Sequence, residues 1–239
     1  MKISVVIPMY NEEKIIKDTA RTLYAYMSEH FAEGEYEILF SNDGSLDNSA
    51  AAVEELGFSS CRVVGYEKNQ GKGCAVRDAM LKANGDVILF TDADLAYGVE
   101  VIGEFFDHFD KNPSTDILIG SRNISADGYE GYTFLRKIMS KTYIKVLCLV
   151  GGFKLSDSQC GCKAFRNDIA KKVFSLCTVN GFAFDFEAIL ISQRFGAKIS
   201  EAPVKIINHR ESKVNVIKDT FKMLRDLIKI KKRVKKLEI

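Results

Sequence analysis

Over the first 120 residues, short apolar and β-branched runs alternate with longer stretches of helical periodicity. The strand-like runs are ISVVIP, YEILFS, CRVVGY, DVILFTD and DILIGS, and the helix-like stretches between them cover residues 12–30, 46–56, 71–83 and 98–110. This alternation predicts a doubly wound sheet with a helix after each strand. Uninterrupted apolar residues, as in 5–7 and 87–90, are typical of strands that crossover helices bury on both faces. We therefore expect an α/β fold with a Rossmann-like, mostly parallel sheet flanked by helices.

Polar segments follow four of these predicted strands. They read Pro8-Met9-Tyr10-Asn11-Glu12, Asn42-Asp43-Gly44-Ser45, Asn69-Gln70-Gly71-Lys72-Gly73 and Asp92-Ala93-Asp94. The carboxyl ends of parallel strands meet at one edge of a sheet, and ligands bind at that edge in open α/β sheets. The sequence therefore predicts one site assembled from all four segments.

The most informative segment holds Asp92 and Asp94 at the end of the fourth strand. Two residues apart in an extended chain, the two carboxylates point to the same side and can share one cation. Carboxylate oxygens favour Mg²⁺ or Mn²⁺, which are held by one or two carboxylates together with substrate phosphates. The alternative is an acidic turn that ends the strand.

Two other segments offer ligand contacts, each with a plain structural alternative. Asp43 could accept a hydrogen bond from the ring N–H of a base, or it could order a glycine turn. Gly71-Lys72-Gly73 before a helix offers backbone N–H groups and one cation to a phosphate, although Lys72 could equally be solvated.

Composition limits the remaining possibilities. The 239 residues, 46% hydrophobic and 28% charged, suit one large globular domain. No apolar run approaches the roughly 20 residues needed to span a bilayer, and the N-terminal segment lacks the features of a secretion signal. The six cysteines and three histidines show no zinc or redox spacing, so we expect reduced thiols and an oxygen-bound metal. These features predict a cytoplasmic protein.

Taken together and in this order, the four segments resemble the family-2 glycosyltransferases of the GT-A fold. The resemblance is carried by Val5 to Glu12, Asn42 to Ser45, Asn69 to Gly73 and Thr91 to Leu95. It implies a nucleotide-sugar site made of Pro8, Tyr10, Asn11, Glu12, Asp43, Gly71, Lys72, Asp92, Ala93 and Asp94, with the metal at Asp92 and Asp94. Asn42 departs from the family, which usually has an aspartate there, but the acid that contacts the base matches Asp43.

The second half looks like the polyprenyl-phosphate hexose synthases, and most like the dolichyl-phosphate β-glucosyltransferases. The segments concerned are Gly120-Ser121-Arg122, Arg136 with Ser140, Asp157-Ser158-Gln159-Cys160-Gly161 and Phe184-Asp185-Phe186-Glu187. The related mannosyl enzymes usually carry glutamine where this chain has Ala96. The resemblance therefore implies UDP-glucose as the preferred donor and GDP-mannose as the second choice.

The arginines of the second half suit a phosphate acceptor on chemical grounds as well. A lipid phosphate is ionised near neutral pH, so it needs cations to position it more than a base to deprotonate it. Arg122, Arg136 and Ser140 are the expected phosphate-binding residues, and Arg136 and Ser140 share a helix face. The alternative places Arg136 on an ordinary solvated face. For a hydroxyl acceptor Asp157 would be the base, while Asp185 and Glu187 rank lower and could be structural.

The expected reaction inverts an α-linked donor to a β-linked product, and positioning and charge stabilisation supply the catalysis. The expected catalytic residues are Asp94, Arg122, Arg136 and Asp157. The runner-up function is a family-2 transferase that acts on a glycan hydroxyl in surface polysaccharide synthesis. A non-catalytic nucleotide-sugar binder fits the retained acidic residues less well.

The chain is expected to divide into a glycosyltransferase domain at 1–210, with a nucleotide-sugar half at 1–120 and an acceptor half at 121–210, and a basic amphipathic helix at 211–239. Residues 213–239 carry ten Lys and Arg against three acids, so the rest of the chain is net negative. Apolar residues at helical spacing, namely Ile217, Phe221, Leu224 and Ile228, suggest contact with an anionic membrane surface. Docking on the catalytic domain is the alternative for 214–228, and the cluster at 229–236 favours a surface partner. Nucleic acid is a poor fit, because the negative body has no basic groove.

Overall fold

The computed structural model describes residues 1–125, 127–208 and 216–238, with the side chains of the last helix described from Asp226 onwards. The strands are β1 (Ile3–Met9), β2 (Tyr36–Asp43), β3 (Cys61–Tyr66), β4 (Val87–Phe90), β5 (Ile117–Ser121), β6 (Lys163–Arg166) and β7 (Ile199–Pro203). The helices are α1 (Glu13–His30), α2 (Ser49–Glu54), α3 (Lys72–Lys82), α4 (Glu100–Lys111), α5 (Phe134–Gly151), α6 (Asn167–Leu176), α7 (Phe184–Arg194) and α8 (Val216–Lys235). The strands form one sheet in the order β3-β2-β1-β4-β6-β5-β7.

The first four strands are parallel; β1, β2 and β4 are buried on both sides, as their apolar runs predict, whereas β3 at the edge is half-buried. Val5 lies opposite Ile38 of β2 and Leu89 of β4. Because successive side chains of a strand face opposite sides, Val6 joins the core against α3, α6 and α7, whereas Val5 joins the core against α1 and α4. The two cores hold the carboxyl ends of β1, β2 and β4 at one edge of the sheet, which is where the polar segments lie.

The strand β6 was not predicted. It spans only four residues, too few to show a periodic pattern, and lies beyond the first 120 residues in which strands and helices alternate. In the structure β6 lies antiparallel between β4 and β5, with Lys163 opposite Phe90 and Ile119. Strand β7 pairs in parallel with β5. The sheet is therefore mixed, but mostly parallel.

The second half of helix α8 packs on the catalytic domain. Leu227, Ile230 and Val234 are buried in the core that also contains α7. Ile228, part of the apolar stripe predicted to meet a membrane, is 55% exposed, and the side chains of the other stripe residues, Ile217, Phe221 and Leu224, lie outside the described part. None of the described helices combines the length and hydropathy that a membrane-spanning helix requires.

Candidate active site

Hydrogen bonds join the segments that follow β1 and β2. Ser45 Oγ accepts from the N–H of Asn11 at 3.0 Å, and Ser49 Oγ accepts from the N–H of Glu12 at 2.8 Å. Asn11 has φ of +53°, in the left-handed region that asparagine adopts more readily than most residues. The predicted residues of this segment, Pro8, Tyr10, Asn11 and Glu12, therefore lie together at the carboxyl end of β1, with Tyr10 exposed.

Asp43 is buried at the end of β2, and its carboxylate accepts hydrogen bonds from four groups between the end of β3 and the start of α3. The donors are the Tyr66 hydroxyl at 2.7 Å, the Asn69 side-chain amide at 2.9 Å, and the backbone N–H groups of Gln70 at 2.9 Å and Gly71 at 3.0 Å. A carboxylate has about four lone-pair directions, and these donors use them. In this structure Asp43 orders the loop before α3, and its contact with a nucleotide base stays a prediction.

Lys72 starts helix α3 and contacts the carboxylate of Asp92. The preceding Gly71 has φ of +109°, which a side chain would strain, and the following Gly73 donates its N–H to the Asn180 carbonyl oxygen at 2.8 Å. Removal from water lowers the pKa of Lys72, but Asp92, Asp185 and Asp94 together raise it by more, so the pKa ends above its usual value. The structure thus places a charged ammonium group and the N-terminus of a helix beside Asp92.

Asp92 and Asp94 lie in a turn after β4, in which the N–H of Leu95 donates to the Asp92 carbonyl oxygen at 3.0 Å and Leu95 has φ of +48°. The acidic turn that the sequence left as an alternative is therefore present, and the chain is not extended there as the metal-site prediction assumed. Both carboxylates are nevertheless partly exposed, while the intervening Ala93 is buried. Gly161 lies directly beneath Asp92, where an added Cβ would collide with the Asp92 carboxylate. The described residues contain no group of three or more His, Cys, Asp and Glu side chains able to hold a metal ion. Two carboxylates fit a cation that takes its other ligands from phosphate.

A buried ion pair lies behind this acidic pair and was not expected. Lys163, which is 1% exposed, donates to Asp185 Oδ1 at 2.6 Å and to the Cys160 carbonyl oxygen at 2.6 Å. Burial raises the pKa of Asp185, and Lys163 opposes that rise. Lys72 lowers and Asp92 raises the pKa of Asp185, so the pair of Lys72 and Asp92 is electrostatically coupled to the pair of Lys163 and Asp185.

Arg122 and Asp157 form a second buried pair at the end of β5. Arg122 Nε donates to Asp157 Oδ2 at 2.6 Å, and Nη2 donates to Oδ1 at 2.9 Å, which is the bidentate geometry of a strong pair. Asp157 is fully buried and Arg122 is 8% exposed. A carboxylate in this position orients the guanidinium; its predicted role as a base for a hydroxyl acceptor stays a prediction.

Aromatic rings connect Arg122 to the predicted phosphate residues of α5. The Arg122 guanidinium lies 5.3 Å from the Tyr129 ring centre, and the Tyr129 hydroxyl is hydrogen bonded to Ser140 Oγ at 3.4 Å. Arg136 lies 4.0 Å over the ring of Tyr132, which packs edge-on against Tyr129. The structure therefore brings Arg122, Arg136 and Ser140 into one cluster.

The sequence missed Tyr129, Tyr132 and Lys163. Nothing in their local spacing marks them, because their roles depend on partners distant in the chain. The six cysteines, in contrast, are free as predicted. Burial raises the pKa of the Cys160 thiol to about 11, which keeps it protonated and unreactive near neutral pH.

The strand order, the antiparallel β6 and the acidic segment after β4 are those of the GT-A fold. The family model of glycosyl transferase family 2 matches residues 4–174, and the chain belongs to that family. The chain is therefore a glycosyltransferase, as the sequence segments predicted.

Several relatives and solved structures resemble the chain over most of its length. A dolichyl-phosphate beta-glucosyltransferase of Trichomonas vaginalis is 31% identical, with 95% of this chain and 72% of the relative covered. The dolichyl-phosphate beta-glucosyltransferase of Homo sapiens is 29% identical, with 97% and 75% covered. The crystal structure of glucosyl-3-phosphoglycerate synthase from Mycobacterium tuberculosis with Mn²⁺, uridine diphosphate and phosphoglyceric acid superimposes with a TM-score of 0.71 at 18% identity, covering 100% of this chain and 80% of that one.

Proposed function

We propose that this enzyme transfers glucose from UDP-glucose to a polyprenyl or dolichyl phosphate, with inversion at the anomeric carbon. The names of the relatives, which are dolichyl-phosphate glucosyltransferases, support glucose rather than mannose and a lipid phosphate rather than a glycan hydroxyl. The observation that carries the proposal is a cation and tyrosine cluster beside an exposed apolar helix surface.

That apolar surface lies at the N-terminal half of α5. Thr133 caps the helix by accepting from the N–H of Arg136 at 3.3 Å. Four large side chains in the next two turns are exposed: Phe134 by 80%, Leu135 by 66%, Ile138 by 46% and Met139 by 38%. Contiguous exposed apolar residues mark a binding surface for an apolar partner. A phosphate held by Arg122, Arg136 and Ser140 would leave its hydrocarbon chain next to this surface.

The donor site lies at the ends of β1, β2 and β4. Asp92 and Asp94 would hold a divalent cation, either Mg²⁺ or Mn²⁺, and such an ion would neutralise charge on the leaving diphosphate. Mn²⁺ and uridine diphosphate are bound in the Mycobacterium tuberculosis structure of the same fold. Lys72 and the N-terminus of α3 add positive charge beside Asp92. Tyr10, Glu12 and the segment ordered by Asp43 would surround the nucleoside.

The acceptor side needs no covalent intermediate. A phosphate oxygen attacks the anomeric carbon from the side opposite the diphosphate, so one carbon–oxygen bond forms as the other breaks and the configuration inverts. The phosphate is already ionised, so Arg122 and Arg136 position it and no base has to remove a proton. Asp157 fixes the orientation of Arg122.

Peripheral contact with a membrane would bring the enzyme to such an acceptor. The outer face of α8 carries exposed lysines, and α8 contacts α5. The exposed lysines in question are Lys229, Lys231, Lys232, Lys235 and Lys236. A basic surface beside an apolar helix is suited to an anionic membrane, with the protein at its cytoplasmic side.

The proposal is tested by offering labelled UDP-glucose and GDP-mannose with a polyprenyl phosphate and extracting the product into an organic phase. We expect label from UDP-glucose in the organic phase as a phosphodiester-linked sugar. Label that enters only a water-soluble glycan would contradict the proposed acceptor, and preferential use of GDP-mannose would contradict the proposed donor.

Replacing Arg136 by alanine should raise the KM for the lipid phosphate by about 10- to 100-fold, because one charge-assisted contact to the phosphate is lost. The KM for UDP-glucose should stay unchanged. Lys145→Ala is the matched control, since Lys145 is an exposed cation on the same helix. An equal effect of the two substitutions would place Arg136 on an ordinary solvated face.

Leu135→Ser should reduce transfer to a long-chain polyprenyl phosphate in vesicles by about tenfold, because burying a leucine side chain contributes about 1.5–3 kcal/mol. Transfer to a short, water-soluble prenyl phosphate should change little. Leu149→Ser, at the far end of α5 and 83% exposed, serves as the control. A loss with Leu135→Ser that is the same for both acceptors would remove the apolar surface from the proposal.

A further inference from the structure

Hydrogen bonds connect helix α8 to the loop that follows α6. Arg233 of α8 donates from Nη2 to Glu187 Oε1 and to the Leu176 carbonyl oxygen, both at 2.6 Å. Glu187 is fully buried, and its Oε2 accepts from the backbone N–H groups of Thr178 and Val179 at 2.8 Å each. One buried carboxylate therefore holds both the loop and α8.

That loop, residues 178–181, supports the start of α3, and we call it the supporting loop. The Asn180 carbonyl oxygen accepts from the N–H of Gly73 at 2.8 Å, and Asn180 Oδ1 accepts from Arg77 Nη2 at 3.0 Å. The start of α3 packs closely against this loop. A Cβ added to Gly71 would collide with the Asn180 carbonyl oxygen, and a Cβ added to Gly73 would lie 2.5 Å from the Val179 carbonyl oxygen. The supporting loop therefore holds the start of α3 from one side, while Asp43 holds it from the other through the N–H of Gly71.

The other side of the supporting loop is open. A cleft of about 650 Å³ separates the loop from α8. Its lining includes Asn180, Phe182, Asp226, Lys229 and Arg233. On that side Glu187 holds the loop through the N–H groups of Thr178 and Val179, and Arg233 supplies the positive charge that a buried carboxylate needs.

We propose that Arg233 is a positioning residue for the diphosphate site. Through Glu187 it holds the supporting loop against Gly71 and Gly73, and so places Lys72 beside Asp92. Docking of α8 thereby becomes a condition for tight binding of the donor. The identity of the ligand, UDP with a divalent cation, rests on the proposed function.

The test compares the binding of UDP with Mn²⁺ by calorimetry to the full-length chain and to Arg233→Ala. We expect about tenfold weaker binding and a similar rise in the KM for UDP-glucose, because a small displacement of Lys72 weakens its contact with phosphate. The KM for the acceptor should not change. Arg233→Lys should recover part of the affinity, since an ammonium group keeps the charge but loses the fork of donors.

Arg194→Ala is the matched control. Arg194 donates to the carbonyl oxygens of Val234 at 3.1 Å and Leu237 at 2.9 Å, so it also fastens α8 but does not contact Glu187. Both alanine variants should lower the melting temperature, and only Arg233→Ala should weaken UDP binding. Equal UDP affinities of Arg233→Ala and the wild type would overturn the inference, as would an equal loss in Arg194→Ala.

Hydrogen exchange without any ligand gives an independent readout. The N–H of Gly73 donates to the Asn180 carbonyl oxygen, so its hydrogen should exchange faster in Arg233→Ala than in the wild type. In Arg194→Ala the exchange rate of this hydrogen should equal that of the wild type. Unchanged exchange in Arg233→Ala would overturn the positioning role. A wild-type protein that does not bind UDP would instead contradict the proposed donor, while the exchange result would still decide the role of Arg233.

Discussion

Asp94→Asn should lower kcat/KM for UDP-glucose by about 10³-fold, which corresponds to about 4 kcal/mol of transition-state stabilisation. The amide keeps the size of the side chain but removes the charge that would hold a cation at the leaving diphosphate. Initial rates of transfer at saturating Mn²⁺ measure the effect. Chelation of the wild-type enzyme should lower the rate to a similar level, because both treatments remove the same charge stabilisation.

Asp110→Asn provides the control, because Asp110 is an exposed acid on the neighbouring helix α4. Its activity should match that of the wild type. Transfer at the wild-type rate after complete chelation, or with Asp94→Asn, would rule out a metal at Asp92 and Asp94. In that case Lys72 and the N-terminus of α3 would have to neutralise the diphosphate, and Lys72→Ala would become the more damaging substitution.

Asp157→Asn should lower the free energy of unfolding by about 3 kcal/mol, because it leaves the buried Arg122 guanidinium without its charged partner. Activity should fall as well, since asparagine has one acceptor oxygen where Asp157 offers two to the Arg122 guanidinium. Urea unfolding followed by circular dichroism measures the stability, which suits a chain without tryptophan.

The exposed pair of Lys111 and Asp107 offers a direct comparison, with side chains 71% and 66% exposed. Asp107→Asn should change the unfolding free energy by less than about 1 kcal/mol, as is usual for a solvated ion pair. The double variant Arg122→Gln with Asp157→Asn should cost less than the two single changes together, because the two side chains act as one unit. If Asp157→Asn and Asp107→Asn have the same unfolding free energy, the prediction is wrong, and water hydrates the Arg122 guanidinium well enough to replace Asp157.

For helix α8, the spacing of apolar residues predicts the helix but not its partner. Its periodicity predicts a basic helix with an apolar stripe but leaves open whether that stripe meets a membrane or the domain. In the structure Leu227, Ile230 and Val234 pack on the core near α7, so at least this half of the helix docks. Its lysines lie on the exposed face, opposite the docked apolar face, so they remain able to contact an anionic membrane surface.

The local pattern of the sequence determined the parallel half of the sheet and the edge at which the site lies. Apolar runs of strand length can be buried only between helices, and the carboxyl ends of such strands must meet at one edge. The acidic pair Asp92 and Asp94 is a local signal too, although the structure places it in a turn that the Leu95 N–H closes on the Asp92 carbonyl oxygen. These features need no knowledge of distant partners.

Only the tertiary structure decided the rest. Arg122 and Asp157 are 35 residues apart, and Lys163 and Asp185 are 22 apart, so no periodicity links them. Strand β6 is too short to carry a pattern, and it is stabilised by its neighbours β4 and β5. Buried charges exist only where folding brings opposite charges together, because each alone would be too costly to remove from water. The sequence therefore located the edge at which the proposed donor site lies, whereas the fold assembled the cluster of Arg122, Arg136 and Ser140 proposed for the acceptor and docked the second half of α8 on the domain.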